Sequence, residues 1–104
     1  MVDLSFAGRQ RHNHPVLIAT SEARIGDPLK LVRDQGRWQL MDAKGRILGR
    51  MSKRFTPPDN TKLVQGEIAA ILRWRKDDSD EAFHHTIRRE MWEVVVPELV
   101  FEEL

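Results

Sequence analysis

The feature that most constrains the fold is a run of three short segments, within residues 28–55, in which apolar and polar side chains alternate. Two turn-forming sequences separate them, Asp34-Gln35-Gly36 and Asp42-Ala43-Lys44-Gly45. Loops of this length join neighbouring antiparallel strands. Gly49 lies inside the third segment, where a glycine indicates a bulge, a bend or a close backbone approach. We therefore predict a three-stranded meander in a mainly β fold: a small, partly open β-barrel of OB or SH3-like size, with one or two short helices.

The segments outside the meander are less clearly patterned. Residues 16–20 are a short apolar run that we interpret as a strand. Residues 51–55 fit one helical turn, for which Ser52 is a suitable N-cap. Residues 62–76 fit both a helical stripe and a strand alternation, so periodicity alone leaves helix and strand open. If residues 64–76 form a strand, they pair with residues 86–96 as a long hairpin.

The length of 104 residues suits one domain with one core. Residues 1–15 show no apolar period and are interpreted as a flexible N-terminal arm, which leaves residues 16–104 as a single β-barrel domain. The chain has no cysteine, hence no disulfide framework, and no apolar run near the roughly 18 to 20 residues that span a bilayer. Because a secretory signal pattern is also lacking, we expect a cytoplasmic protein without a membrane partner.

The net charge of +1 conceals two regions of opposite sign. Residues 33–76 hold eleven Lys and Arg against four acidic residues, whereas residues 77–104 hold nine acidic residues against two Arg. This asymmetry suggests a basic face for a polyanion and an acidic face for another partner. The alternative is that the two regions lie close together and neutralise each other.

Motifs for catalysis and for cofactor binding are not found. The sequence contains no glycine-rich phosphate loop, no nucleophile elbow and no carboxylate pair placed for acid–base work. The histidines do not have the spacing of a known zinc class, and the acidic run at residues 77–81 lacks the glycine and distal glutamate of a calcium loop. We therefore predict no catalytic residues, no metal and no cofactor, and a protein that is not an enzyme by itself.

Cations interleaved with indole rings are the strongest functional signal. Guanidinium groups bind phosphate oxygens through paired hydrogen bonds, and exposed aromatic rings stack on unpaired bases. Alternatively, the three tryptophans at positions 38, 74 and 92 belong to the core. We predict that the basic positions converge on one side of the sheet. The predicted nucleic-acid-binding residues are Arg37, Trp38, Arg46, Arg50, Lys53, Arg54, Arg73, Arg75 and Lys76.

Two stretches of the chain resemble known proteins. The order Gly26-Asp27-x-Leu29-x-Leu31, followed by Trp38-x-Leu40-x-Asp42-x-x-Gly45-x-x-Leu48-Gly49-Arg50-Met51, resembles the HIRAN domain over roughly residues 24–72. Members of that family are small β-barrels, alone or attached to helicases and chromatin remodellers, and are associated with DNA ends or single strands. Since a strand follows the short helix in that family, the resemblance implies a strand at residues 64–76. Residues 92–101 are similar to the C-terminal region of large bacterial RecQ-type ATP-dependent DNA helicases.

Two functions are compatible with these observations. The resemblance implies a non-catalytic accessory domain of a DNA helicase, which contacts single-stranded DNA or DNA ends through its basic surface. The alternative is a protein-interaction module that uses the acidic C-terminal face or an exposed strand edge. The residues alone do not determine whether the protein binds DNA or RNA, which bases it prefers or which oligomeric state it has.

Overall fold

The computed structural model describes residues 1–79 and 81–104, except for the side chain of Phe83. Within these residues the chain forms one α-helix and two sheets, which confirms the predicted mainly β, partly open fold. That α-helix and the short 3-10 segments are not long and apolar enough to cross a membrane. The main elements are α1 (Pro15–Glu22), β1 (Lys30–Asp34), β2 (Arg37–Met41), β3 (Ile47–Arg50), β4 (Thr61–Arg75) and β5 (Met91–Glu103).

Strands β1, β2 and β3 form the predicted meander, in that spatial order. Asp34 pairs with Arg37 at the first turn, where Gln35 and Gly36 have φ angles of 50° and 78°. Positive φ at both central residues is the geometry of the turn that matches strand twist. The glycine at position 49 lies beside the irregularity that was predicted there, because the register between β2 and β3 shifts at this point.

Strands β4 and β5 form a long antiparallel ribbon, in which Trp74 pairs with Trp92. The strand interpretation of residues 62–76 is therefore confirmed. The partner strand was expected to begin at residue 86 but begins at Met91, and the pairing continues to Glu103. Two register shifts in β4 bend the ribbon, since an extra residue on one strand increases the local twist.

The ribbon joins the meander where β5 contains a proline. Pro97 has no N–H that could donate a hydrogen bond to β4. Its partner Ile68 directs its backbone N–H and C=O to the other edge of β4, away from β5. There the Ile68 N–H donates to Asp27 O at 2.9 Å, and the Ile68 carbonyl accepts from Gly26 N at 2.8 Å. The proline is accommodated because the lead-in to β1 satisfies the other edge of β4.

Close backbone approach at Gly66 completes this junction. The Leu29 N–H donates to Gly66 O at 2.8 Å, and Pro28 forms a bridge with Glu67. A Cβ atom at position 66 would lie 2.6 Å from the Leu29 carbonyl oxygen, a distance that such atoms do not adopt. The sequence therefore needs a glycine where the two sheets cross.

The core consists of two clusters of buried residues. The first lies between the meander, α1 and the ribbon, and contains Ala19, Leu29, Leu40, Leu48, Met51, Ile68 and Val95. The second surrounds Trp92 and contains Ala7, Val16, Ile87 and Val94.

The strand that we predicted at residues 16–20 is wrong, because these residues belong to helix α1. Pro15 occupies the first helical position, where its fixed φ suits the helix and its missing N–H is not needed. The His14 Nδ1 atom accepts a hydrogen bond from the Val16 N–H at 3.1 Å and caps the helix. Val16, Ala19 and Thr20 are buried at helical spacing, so the apolar run covers one face of a helix.

The helical turn that we predicted at residues 51–55 is a non-helical turn. Met51 forms a bridge with Val2, and the Phe55 N–H donates to Ser52 O at 3.1 Å. This single hydrogen bond closes one turn, and no helical hydrogen bonds follow it. Ser52 therefore does not cap a helix.

Residues 1–14, which we predicted to be part of a flexible arm, instead lie against both core clusters. The Trp92 Nε1–H donates to the Leu4 carbonyl at 2.7 Å, which ties the first residues to the last strand. Gly8 is buried, and a Cβ atom there would lie 2.7 Å from the Trp92 ring. The segment thereby fixes the positions of Asp3 and Arg9 beside the meander.

Candidate nucleic-acid interface

An open groove of about 530 Å³ lies between the N-terminal segment and the strands β2 and β3. Four of the side chains that line it are cationic and one is a carboxylate. We call it the basic groove, and its charged residues are Asp3, Arg9, Arg37, Arg50 and Lys53.

Three guanidinium groups surround the carboxylate of Asp3. Arg9 forms a bidentate pair with it, with Nη2 2.6 Å from Oδ2 and Nη1 3.3 Å from Oδ1. The Nη2 atom of Arg50 donates to the same Oδ2 atom at 3.0 Å. The Nη2 atom of Arg37 lies 3.7 Å from it and donates to the Met51 carbonyl at 3.0 Å. One negative charge therefore holds three positive ones together, and the cluster keeps an excess of positive charge.

The backbone places these side chains at the same end of the meander. The Asp3 N–H donates to the Arg50 carbonyl at 2.8 Å, so the N-terminal segment runs beside β3. Arg37 starts β2, the strand that pairs with β3. The guanidinium carbon of Arg50 lies 5.0 Å from the centre of the Phe6 ring, which orients that side chain by a cation–π contact. The cluster is thus fixed by long-range contacts on several sides.

Burial and neighbouring charges shift the pKa values of Asp3 and Arg37. Burial raises the pKa of the Asp3 carboxyl, but the hydrogen bonds from Arg9 and Arg50 outweigh burial and hold that pKa below its ordinary value. Burial lowers the pKa of Arg37, the charge of Arg50 lowers it further, and Asp3 opposes both. Arg37 remains protonated, because the guanidinium group of arginine is not deprotonated in proteins.

The arginines retain donors that the protein does not use. The Nε atoms of Arg37 and Arg50 are buried and, within the described part of the chain, have no hydrogen-bond partner. A buried donor without an acceptor costs roughly 1–3 kcal/mol. The two Nε atoms are buried and therefore closed to a ligand, so the feature that favours an anion in the groove is the positive charge in excess of Asp3.

Of the nine predicted residues, Arg37, Arg50 and Lys53 line the basic groove. Arg54 follows Lys53 in the same turn and is exposed. Arg46 lies elsewhere: its Nε atom donates to Asp42 at 2.9 Å and its Nη1 atom to Glu22 at 3.0 Å. Arg46 is therefore neutralised by its own neighbours.

The predicted cations of β4 do not join the basic groove. Arg73 lines a separate groove beside α1, together with Arg89, and pairs across the ribbon with Glu93. Arg75 is exposed and Lys76 is half-buried where β4 ends. The expectation that all the cations share one surface is therefore wrong, since Arg46, Arg73, Arg75 and Lys76 do not line the basic groove.

Trp92 belongs to the core, as the alternative interpretation predicted, and Trp38 and Trp74 are half-buried and pack against the core clusters. Trp38 packs against the first core cluster, with the guanidinium of Arg33 5.8 Å from the centre of its ring. Trp74 is half-buried and donates from Nε1 to Ser79 Oγ at 3.2 Å. Trp92 is 4% exposed. The stacking role predicted for Trp38 has no support from this packing.

Sequence reasoning missed Asp3 and Arg9, because it treated residues 1–15 as an arm. A signal was present, since Val2, Leu4 and Phe6 alternate with polar residues as in a segment with one buried face. Among the described residues, no group of three or more His, Asp or Glu side chains could hold a metal ion.

Comparison with known proteins adds no relative, since no family model, no curated protein and no solved structure matches this chain.

Proposed function

We propose that the protein is a non-catalytic nucleic-acid-binding accessory domain that contacts the phosphates of single-stranded DNA or DNA ends through the basic groove. The observation that carries this proposal is the convergence of Arg9, Arg37 and Arg50 on the single carboxylate of Asp3 in an open groove. The resemblances of residues 24–72 to HIRAN domains and of residues 92–101 to RecQ-type helicases favour a DNA helicase as the protein in which it acts.

The chemistry of the cluster suits the oxygens of a phosphate. Each guanidinium offers five donors in a planar fork, and only some of these are used by Asp3 and Met51. Phosphate oxygens accept such forks in pairs. Because Asp3 already holds the forks in place, an incoming phosphate would lose little side-chain entropy in ordering them.

Binding of this kind depends on the sugar–phosphate backbone of the nucleic acid and discriminates little between bases. None of the three indole rings lines the basic groove: Trp92 is buried, and Trp38 and Trp74 pack against the core clusters. Affinity therefore comes mainly from phosphate contacts and from the release of counterions. We expect the affinity to fall steeply with salt and to vary little with sequence.

The test is a fluorescence anisotropy titration with a labelled oligodeoxythymidine between about 50 and 200 mM salt. For three to four neutralised phosphates, the logarithm of the association constant should fall with a slope of roughly −2 to −3 against the logarithm of salt. An affinity that does not change with salt would contradict the proposal.

A matched pair of variants locates the binding surface. Lys53 is exposed in the basic groove, and Lys44 is exposed in the turn between β2 and β3, outside that groove. We expect Lys53→Glu to weaken oligonucleotide binding by roughly tenfold and Lys44→Glu to change it less than about twofold. Equal losses in both variants would assign the binding to the general charge of the protein.

A further inference from the structure

The ribbon and the meander separate beyond their junction at Pro28 and Glu67. The last hydrogen bond between them joins Leu29 N to Gly66 O, after which β1 and β4 continue as members of different sheets. A groove of about 360 Å³ opens there, with Lys30 on one side and Leu63, Val64 and Gln65 on the other. The opening of the partly open barrel is therefore a gap between two strand edges.

The register of the meander determines which backbone groups of β1 point into this gap. Asp34 and Arg37 flank a two-residue turn, so their backbones bond to each other in both directions. Counting back in steps of two, Val32 and Lys30 also form their backbone hydrogen bonds with β2. Leu31 and Arg33 occupy the intervening positions, and their N–H and C=O groups point to the edge away from β2. Leu29 lies two residues before Leu31 and points to the same edge, where its N–H donates to Gly66 O of β4.

Within the described part of the chain, the polar backbone groups at this edge have no hydrogen-bond partner. In the described ranges, 1–79 and 81–104, no hydrogen bond joins the backbone of Leu31 or Arg33 to β4 or to a side chain. An unpaired edge of alternating donors and acceptors is a template for another extended chain. A phosphate backbone, which offers only acceptors at neutral pH, matches that alternation poorly.

We propose that the free edge of β1 binds an acidic, extended segment of a protein partner, which adds to the meander as a further strand. The exposed charged side chains near the gap are Lys30, Arg33 and Asp34 on β1 and Lys62 on β4, whose strand partner Glu102 on β5 is also exposed. Of these, Lys30 lines the groove itself. Val64 is 46% exposed beside the gap and offers an apolar contact. A partner strand with alternating acidic and apolar side chains would pair its acids with the cations and pack its apolar residues against Val64.

A second copy of this chain is the occupant to be distinguished from such a partner. Two antiparallel β1 edges centred on Val32 would place Lys30 of each copy opposite Asp34 of the other, so the molecular mass of a dimer in light scattering without peptide would overturn the proposal. The acidic strand β5 is already paired with β4 along its length. This surface shares no lining residue with the basic groove, so the two proposals stand independently.

The test uses a capped peptide of about ten alternating Val and Glu residues and amide hydrogen exchange of the full chain, followed by NMR. With saturating peptide, the amides of Leu31 and Arg33 should exchange roughly tenfold more slowly, while those of Lys30 and Val32, already bonded to β2, stay unchanged. No binding at about 1 mM peptide, or protection elsewhere only, overturns the proposal.

Charge variants test the choice of an acidic partner. The double variant Lys30→Glu with Lys62→Glu should bind the Val–Glu peptide roughly tenfold more weakly, whereas the matched control Lys44→Glu binds as the natural chain does. A peptide of alternating Val and Lys should bind the natural chain at least about tenfold more weakly. Equal binding of the two peptides would overturn the charge assignment, and protection of Leu31 and Arg33 by oligodeoxythymidine would overturn the assignment to a protein partner.

Discussion

Asp3 is the residue on which the basic groove depends, because it holds three like charges together. Without it, Arg9, Arg37 and Arg50 would repel each other, and the N-terminal segment would lose its ion pairs with Arg37 and Arg50. The side chain of Asp3 is only 16% exposed, so water replaces those hydrogen bonds poorly. The carboxylate thus serves the fold and the site together.

We expect Asp3→Asn to lower the free energy of unfolding by about 1–3 kcal/mol, because the amide keeps the shape and loses the charge-assisted hydrogen bonds. Urea unfolding at neutral pH measures this change. The variant Asp59→Asn is a suitable control, since Asp59 is exposed in the loop before β4. Equal stability of Asp3→Asn and the natural chain would show that the carboxylate does not stabilise the cluster.

Acid should weaken the natural protein more than it weakens Asp3→Asn. The pKa of Asp3 in the folded chain lies below that of the unfolded chain, which is about 3.9. Its contribution is therefore complete above the unfolded value and is lost as the pH falls through the lower, folded value. Asp42, whose pKa is also lowered because hydrogen bonds from Arg46 and Lys44 outweigh burial, adds a loss that both proteins share. Urea unfolding at decreasing pH shows whether the two stabilities converge.

Gly66 and Gly49 make a matched pair of glycine positions. Gly66→Ala should destabilise the protein by about 2 kcal/mol or more, because the new Cβ would press on the Leu29 carbonyl where the sheets cross. At Gly49 the new Cβ would lie 3.7 Å from Leu40 Cδ1, an ordinary contact, so Gly49→Ala should change stability by less than about 1 kcal/mol. Thermal unfolding of both variants decides, and equal effects would refute the close approach at Gly66.

At the scale of the element, the sequence predicted strands and turns well where the pattern was local. The turns after β1 and β2 carry residues that suit positive φ, and both turns form where the residues indicated. Residues 62–76 stayed open between helix and strand, because only pairing with β5, distant in sequence, decides between them. The apolar run at residues 16–20 was misread, since five residues are too few to separate the two periods.

The cap of α1 gives a test of why that segment is helical. His14→Ala removes the acceptor for the Val16 N–H and should lower the free energy of unfolding by roughly 0.5–2 kcal/mol. His12→Ala is the control, because His12 is exposed and precedes the cap by two residues. Chemical denaturation at a pH above 7 compares the two variants. A larger loss for His12→Ala would contradict the capping role of His14.

At the scale of the whole molecule, the two oppositely charged regions partly neutralise each other. Strand β5 carries its acids beside the cations of β4, with Arg73 paired to Glu93 and Lys62 to Glu102. The excess positive charge that remains clustered lies at the basic groove, which sequence reasoning found only in part. Arg37, Arg50 and Lys53 were predicted, whereas Arg9 and Asp3 depend on contacts that bring the first residues to β3.

Removal of residues 2–6 tests this dependence for the molecule as a whole. The deletion removes Asp3, the bridge from Val2 to Met51 and the acceptor of the Trp92 Nε1–H. We expect a loss of at least about 3 kcal/mol in stability and the loss of salt-dependent oligonucleotide binding. Removal of residue 104, which is 83% exposed, is the control. A truncated protein as stable as the natural one would show that the segment is an arm after all.

The hydrogen bond from Trp92 to Leu4 joins residues that are 88 positions apart. The indole N–H and this carbonyl come together only after the chain has folded back over most of the described sequence. Contacts of such long range slow the search for the native state. We therefore expect the docking of the N-terminal segment to be a late step of folding, with Phe6 exposed until that step.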